Sequence, residues 1–215
     1  MSECEVLTCS DKSDPLKILK NNLNLEFCWI IELLNINIYL NDKKLDYSNL
    51  IEEITKEETE INTNKFNLKF IKWSCQLKDQ SSRYYFLNSN GIEMFVKTTT
   101  LNNKGDDFYH SLYISSPYFD DFNLMKTPYE EAYKGLMEYI QRYLRDKRSP
   151  FIKQFSKNKY EEFEKKDLLP KFNKFEIEIK KPIYEEIVRE IIEFAPSLAS
   201  NSNENQKKIL LQLMY

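Results

Sequence analysis

The chain has 215 residues and a formal net charge of −3, with 30% charged and 41% hydrophobic residues. This composition is typical of a globular protein, and it excludes a strongly basic surface that would attract nucleic acid or membranes over the whole molecule. The chain has three glycines, Gly91, Gly105 and Gly135, which are too scattered to form a P-loop or a Rossmann fingerprint. We therefore predict that the chain carries no nucleotide pocket of these kinds.

Residues 16–34 are dense in apolar positions, which favours a helix that runs into a strand. Alternation over 36–40, turn residues at 41–44 and a return at 45–47 predict a small hairpin. Apolar residues at 66, 68 and 70 predict a further strand. The alternation then changes phase at Ile71 and Trp73, which predicts a β-bulge in this strand.

Two short apolar segments, 84–87 and 92–96, flank Asn88-Ser89-Asn90-Gly91, whose Asn-Gly pair is typical of a hairpin turn. A last strand is predicted over 109–115. Residues 36–115 are therefore expected to form a mostly antiparallel sheet.

Beyond Pro117 the apolar period becomes helical. Thr127-Pro128-Tyr129-Glu130 predicts a capping box at the start of a helix that Pro150 interrupts, and 151–169 predicts the next helix. Residues 170–181 are expected to form a linker, and Pro182 is expected to open a helix that ends at Ala195-Pro196. Residues 197–205 are expected to form a polar turn with Ser202 or Asn203 as the cap of the last helix, about 204–215. The predicted fold class is α+β, a mostly antiparallel sheet packed with helices and followed by an α-helical C-terminal region. Its expected parts are an N-terminal loop and helix (1–35), an α+β domain (36–148) and a helical extension (149–215).

The chain has one histidine, His110, and four cysteines without the paired spacing of a zinc site: Cys4, Cys9, Cys28 and Cys75. It begins without the basic and apolar regions of a signal peptide, and its longest apolar run, 27–34, is too short to span a bilayer. We expect a cytoplasmic protein with reduced cysteines, no metal site and no membrane segment.

The polar segment 98–108 joins two predicted strands and contains Asn103, Lys104 and Gly105. A lysine in such a loop can neutralise a phosphate, and a neighbouring amide can orient it. A plain hairpin connection with a surface lysine explains the same residues.

A second candidate is a basic group on the predicted helix junction, which consists of Arg142, Arg145, Lys147, Arg148 and Lys153. These cations could contact a phosphate backbone. Cations that complement a helix C-terminus explain them equally well, and Asp146 reduces the local positive charge.

Several strings carry a resemblance to a known family: Phe70-Ile71-Lys72-Trp73, Ser82-Arg83-Tyr84-Tyr85-Phe86-Leu87, Asn102-Asn103-Lys104-Gly105-Asp106, Lys147-Arg148-Ser149-Pro150-Phe151 and Leu169-Pro170-Lys171-Phe172. They resemble the segment that follows the ATP-binding domain of bacterial GHKL-type ATPases, and the similarity extends over about residues 30–215. The Asn for magnesium, the D-x-G-x-G motif and the glycine-rich lid of that superfamily are absent from this sequence. The resemblance therefore implies a transducer-like domain over 36–148, followed by the helical extension.

The resemblance implies a non-catalytic, regulatory role. The chain would couple the nucleotide state or dimerisation of an ATP-binding domain or subunit to an output, in a setting such as bacterial stress or phage defence. Lys104, with Asn103 beside it, would reach the γ-phosphate of an ATP held by that partner. ATP and Mg would bind only through the partner domain, and a homodimer is left open. The alternative is a nucleic-acid-binding accessory protein that uses Arg142, Arg145, Arg148 and Lys153, and a third reading is a purely structural interaction module.

Overall fold

The computed structural model describes residues 15–77, 82–101, 105–123 and 125–215. The first half contains helix α1 (Pro15–Leu34), the two-residue strands β1 (Tyr39–Leu40) and β2 (Lys43–Lys44), and strands β3 (Ile51–Ile61), β4 (Asn64–Trp73), β5 (Arg83–Leu87), β6 (Glu93–Thr98) and β7 (His110–Ser115). The second half contains helices α2 (Glu131–Lys165), α3 (Lys174–Phe194), α4 (Pro196–Ser200) and α5 (Glu204–Leu213). The predicted α+β fold with a helical C-terminal region is confirmed.

The main sheet has five strands in the order β3-β4-β7-β5-β6. Three of its four pairings are antiparallel. The fourth is parallel: the chain reverses direction in the β5–β6 hairpin and again before β7, so β7 runs in the same direction as β5 on the side of β5 away from β6. The hairpin turn ends at Gly91, whose φ of +74° is the conformation that the Asn-Gly pair predicts. The expectation of a mostly antiparallel sheet is thus confirmed.

Helices cover both faces of this sheet. One face packs against α2 in a core that includes Phe66, Phe70 and Leu136. The other packs against α1, where Cys28 joins Ile71 and others in a second core. A third core lies within the C-terminal helical region, where side chains of α2, α3, α4 and α5 meet.

The two covered faces explain the phase change in β4. Phe66, Leu68 and Phe70 face α2, whereas Ile71 and Trp73 face α1. The pairing of β4 with β7 is regular from residue 67 to residue 72, so the predicted bulge in β4 is wrong. The apolar pattern changes because the second half of β4 is buried on both faces, and the register shift lies in β3, between Ile51 and Glu53.

Edge strand β3 has no counterpart among the sequence predictions. It is 11 residues long, and its sequence IEEITKEETEI contains five glutamates and one lysine. None of its residues is fully buried, so the apolar alternation that marks an inner strand is weak. Lys147 of α2 anchors it by donating to Glu53 Oε1 at 2.5 Å and to Thr55 Oγ1 at 2.8 Å.

Helix α2 continues through Pro150, which corrects the predicted interruption at this proline. Pro150 is exposed, whereas Leu144 and Ile152 on either side of it are buried in two different cores. The free energy gained by burying both flanking segments outweighs the free energy that a proline costs in a helix interior, so the helix stays continuous. Helix α2 therefore crosses the expected boundary between residues 148 and 149.

The starts of helices α2 and α3 differ from the predicted ones because the capping residues are different. Thr127–Tyr129 is a 3₁₀ turn in which Thr127 Oγ1 accepts from the backbone N–H of Asn123 at 3.0 Å, so it caps no α-helix and α2 begins at Glu131. The capping box lies instead at Asn173 and Glu176, so α3 replaces the predicted linker from Lys174 onward and Pro182 lies inside it. The expected polar turn holds the short helix α4, and the last helix begins after Asn203, one of its two expected caps.

Candidate functional site

The two residues of the phosphate-contact prediction, Asn103 and Lys104, lie outside the described residues. The structure does describe the residues that follow them, Gly105 and Asp106. Both make specific contacts with the helical region, so this part of the loop defines the candidate site.

Gly105 lies directly against the backbone of α4. Its φ is +72°, and a Cβ added here would lie 2.8 Å from Ser197 Cα and 3.1 Å from Ser197 N. The hydroxyl of Ser200 donates to the carbonyl oxygen of Gly105 at 2.5 Å. Only glycine combines this backbone conformation with so close an approach, so the loop and α4 fit one another as a pair.

Asp106 joins the same loop to α2. The residue is only 3% exposed, Oδ1 accepts from the backbone N–H of Phe108 at 3.2 Å, and Oδ2 accepts from Arg148 Nε at 2.5 Å. Removal of one partner of such a buried pair leaves an uncompensated charge, which typically costs about 3–5 kcal/mol. Arg148, predicted as a nucleic-acid contact, thus has a structural partner inside the protein.

His110 is the first residue of β7, which follows this loop, and it is buried. Its Nδ1 lies 2.9 Å from the carbonyl oxygen of Phe108, and its ring packs on Phe108 and Phe70 with centroid distances of 4.9 and 6.2 Å. Burial lowers the pKa of His110 to about 4, so the ring is neutral at neutral pH. Ser111 faces the opposite side of the sheet, where its Oγ accepts from Trp73 Nε1 at 2.9 Å, so the two residues form no catalytic pair.

The basic group is divided between two sides of α2. Arg142, Arg145 and Lys153 are exposed, whereas Arg148 points toward Asp106 and Lys147 toward β3. The helix brings the three exposed cations to one face at spacings of three and eight residues, together with the exposed Asp146. This face carries mixed charge.

A groove of about 380 Å³, which sequence reasoning did not anticipate, lies between the C-terminal end of α1 and the sheet. At its edge, Glu32 accepts from Lys69 Nζ at 2.5 Å and from the hydroxyl of Tyr47 at 2.7 Å. Burial alone would raise the pKa of Glu32, but these two hydrogen bonds outweigh burial and hold that pKa below its usual value. The charge of Glu32 is therefore paired within the protein, and no sequence motif marks the groove.

Within the described ranges, no helix is both long and apolar enough to cross a membrane, and no cluster of three or more His, Cys, Asp or Glu side chains could hold a metal ion. Comparison with protein-family models, characterised proteins and solved structures finds no match to the chain. The loop that contains Gly105 and Asp106 is the candidate site, because it contacts both α4 and α2.

Proposed function

We propose that the chain is a non-catalytic, transducer-like module that works with a GHKL-type ATP-binding partner in the cytoplasm. In this proposal the loop 98–108 receives the nucleotide state of the partner, and the helical region beyond residue 149 passes it on. ATP and Mg bind to the partner, and Lys104, next to Asn103, approaches the γ-phosphate.

One observation carries the proposal. Gly105 and Asp106, which directly follow Lys104, contact α4 and α2 through the Ser200 hydrogen bond and the Arg148 ion pair. A displacement of the loop would change contacts with two helices at once, because the close approach of Gly105 to the Ser197 backbone leaves no slack. Residue 104 is one residue from Gly105 and two residues from Asp106, both of which contact helices, so a phosphate contact there would act on groups that these helices hold.

The first test is calorimetry with the isolated chain and MgATP. We expect no binding heat at millimolar nucleotide, because the chain carries no glycine-rich phosphate loop. Micromolar affinity for ATP would contradict the proposal that the nucleotide pocket belongs to a partner.

The second test uses a complex of this chain with the GHKL-type ATPase of the proposal. Lys104→Ala should lower ATP turnover of the complex at least tenfold, since a lysine at the γ-phosphate stabilises charge that develops in the transition state. Lys97→Ala, on the exposed edge strand β6, is the matched control and should leave turnover unchanged. Equal rates for both variants would reduce the loop to a structural connection.

A third measurement distinguishes transmission from simple phosphate binding. Hydrogen exchange of the α4 amides should slow when the partner binds ATP, and Ser200→Ala should weaken this response without changing ATP affinity. If the exchange rate of the α4 amides is the same with and without ATP on the partner, the loop and α4 are not coupled. The nucleic-acid alternative predicts DNA or RNA binding that falls steeply with salt, and filter binding at several salt concentrations tests it.

A further inference from the structure

Helix α3 has apolar side chains on two opposite faces. Tyr184, Val188 and Ile192 are buried against the rest of the helical region. On the other face, large apolar side chains recur at four-residue spacing and are exposed: Phe175, Ile179, Ile183 and Ile187. Phe175 is 88% exposed. Such a stripe normally marks a surface that another protein covers.

The exposed stripe continues into a groove beside the C-terminus. Met214 and Tyr215 face Ile183 and Ile187 across a space of about 180 Å³. The Tyr215 ring is held in place by Phe172, with ring centroids 5.3 Å apart. The apolar surface therefore has both a ridge, formed by the isoleucines, and a depression next to it.

The charges of α3 are distributed unevenly along its length. Residues 174–183 contain three lysines and two glutamates, whereas residues 184–193 contain four glutamates and one arginine. A second α3 packed in parallel would oppose the two glutamate-rich halves. In an antiparallel arrangement the glutamate-rich half of each helix lies against the lysine-containing half of the other, which is electrostatically favourable.

We propose that a second copy of this chain covers this face, in a symmetric antiparallel α3–α3 contact centred on Ile183. In this arrangement Ile179 of each copy lies beside Ile187 and the groove of the other, and Lys180 of each copy lies beside Glu186 of the other. The contact is isologous, so every pair occurs twice. The proposal is independent of the ATPase partner, whose contacts would lie at the loop 98–108.

The proposed arrangement contains one pair of like charges. Glu176 of one copy comes opposite Glu190 of the other. The Glu176 carboxylate already accepts from Lys180 at 2.8 Å and from the backbone N–H of Asn173 at 3.0 Å, and its side chain is only 17% exposed. These donors reduce the repulsion that Glu190 would meet.

The size of the face predicts a weak dimer. A helix of 21 residues is about 31 Å long and about 10 Å wide, so α3 alone offers less than the roughly 800 Å² per partner of a stable interface. We expect a dissociation constant of the dimer between about 10 µM and 1 mM.

Sedimentation velocity of the full chain at increasing concentration tests the proposal. The natural chain should shift from monomer toward dimer, and Ile183→Glu should abolish the shift by placing two glutamates at the centre of the contact. Ile183 is 56% exposed, so this substitution should leave the fold intact, as circular dichroism can verify. The matched control is Ile92→Glu at the β5–β6 turn, where Ile92 is 58% exposed and dimerisation should be unaffected.

A charge exchange then tests the antiparallel register. Lys180→Glu and Glu186→Lys should each weaken association about five- to tenfold, because each turns two attractive contacts into repulsive ones. The double variant should recover part of the lost affinity, because the exchanged pair attracts again while Glu176 has lost its Lys180 donor. A chain that stays monomeric at 1 mM, a dimer that Ile183→Glu leaves intact, or a double variant without recovery would each overturn the proposal. Monomers that instead co-purify with the ATPase through Ile183 would assign the face to that partner.

Discussion

Replacement of Gly105 by alanine tests whether the loop and α4 fit together as closely as the structure indicates. The backbone at Gly105 has a φ of +72°, a region where an L-residue costs roughly 1–2 kcal/mol. The new Cβ would also lie 2.8 Å from the Cα of Ser197, so the backbone of α4 has to move, and overpacking of this kind costs about 1–3 kcal/mol. We expect Gly105→Ala to lower the free energy of unfolding by about 2–5 kcal/mol.

Gly91→Ala is the matched control, because the two glycines share the same backbone strain. Gly91 has a φ of +74°, but no atom lies within 4 Å of the Cβ position. The difference between the two variants in urea unfolding therefore isolates the contact with α4, and we expect it to be about 1–3 kcal/mol. Hydrogen exchange should also accelerate in α4 only for Gly105→Ala. Equal destabilisation by the two variants would refute the close packing of the loop on α4.

Three further predictions concern other contacts of the fold. Arg148→Met should destabilise the chain by about 3–5 kcal/mol in urea unfolding, and Asp106→Asn in the same chain should recover part of this loss, because a neutral amide needs no ion pair; a double variant no more stable than Arg148→Met would contradict the buried pair. His110 has a pKa of about 4 in the folded protein against an ordinary value of 6.5, so the unfolded chain takes up the proton at higher pH than the folded protein. The free energy of unfolding should therefore fall by about 3 kcal/mol as the pH drops from 6.5 to 4. His110→Gln should remove this part of the pH dependence, and an unchanged dependence of the free energy of unfolding on pH would argue against a buried neutral ring. Gly135→Ala should change the free energy of unfolding by less than about 1 kcal/mol, since the gain in helix propensity opposes a 2.9 Å contact with Cγ2 of Ile61, which a small shift of edge strand β3 would relieve. Thermal or urea unfolding checks this, and a loss above about 2 kcal/mol would mean that β3 cannot adjust.

The predicted elements that proved correct carry strong local signals. The Asn-Gly turn, the apolar strands on either side of it and the Asn203 cap each depend on residues close together in sequence. The α+β class follows from the change of apolar period after Pro117. These features could be predicted because the interactions that produce them are local.

The wrong predictions arise where tertiary packing outweighs a local signal. Pro150 carries a strong helix-breaking preference, yet α2 continues because both flanking segments are buried. In β4, the change of apolar phase at Ile71 reports the arrival of α1 on the second face, which cannot be distinguished from a bulge in sequence alone. Edge strand β3 was missed because it buries no residue fully and its charged side chains pair with α2 and β4.

The candidate site divides in the same way. The sequence determined that the chain holds no glycine-rich phosphate loop and that the segment around Gly105 is polar, because composition and turn residues are local properties. Only the tertiary structure decided that Gly105 touches Ser197 and Ser200, that Arg148 pairs with Asp106, and that one face of α3 stays uncovered. Residues 42 to 95 positions apart meet in these contacts. Their partners are set by how the sheet and the helices pack, and the order of residues along the chain carries no record of that.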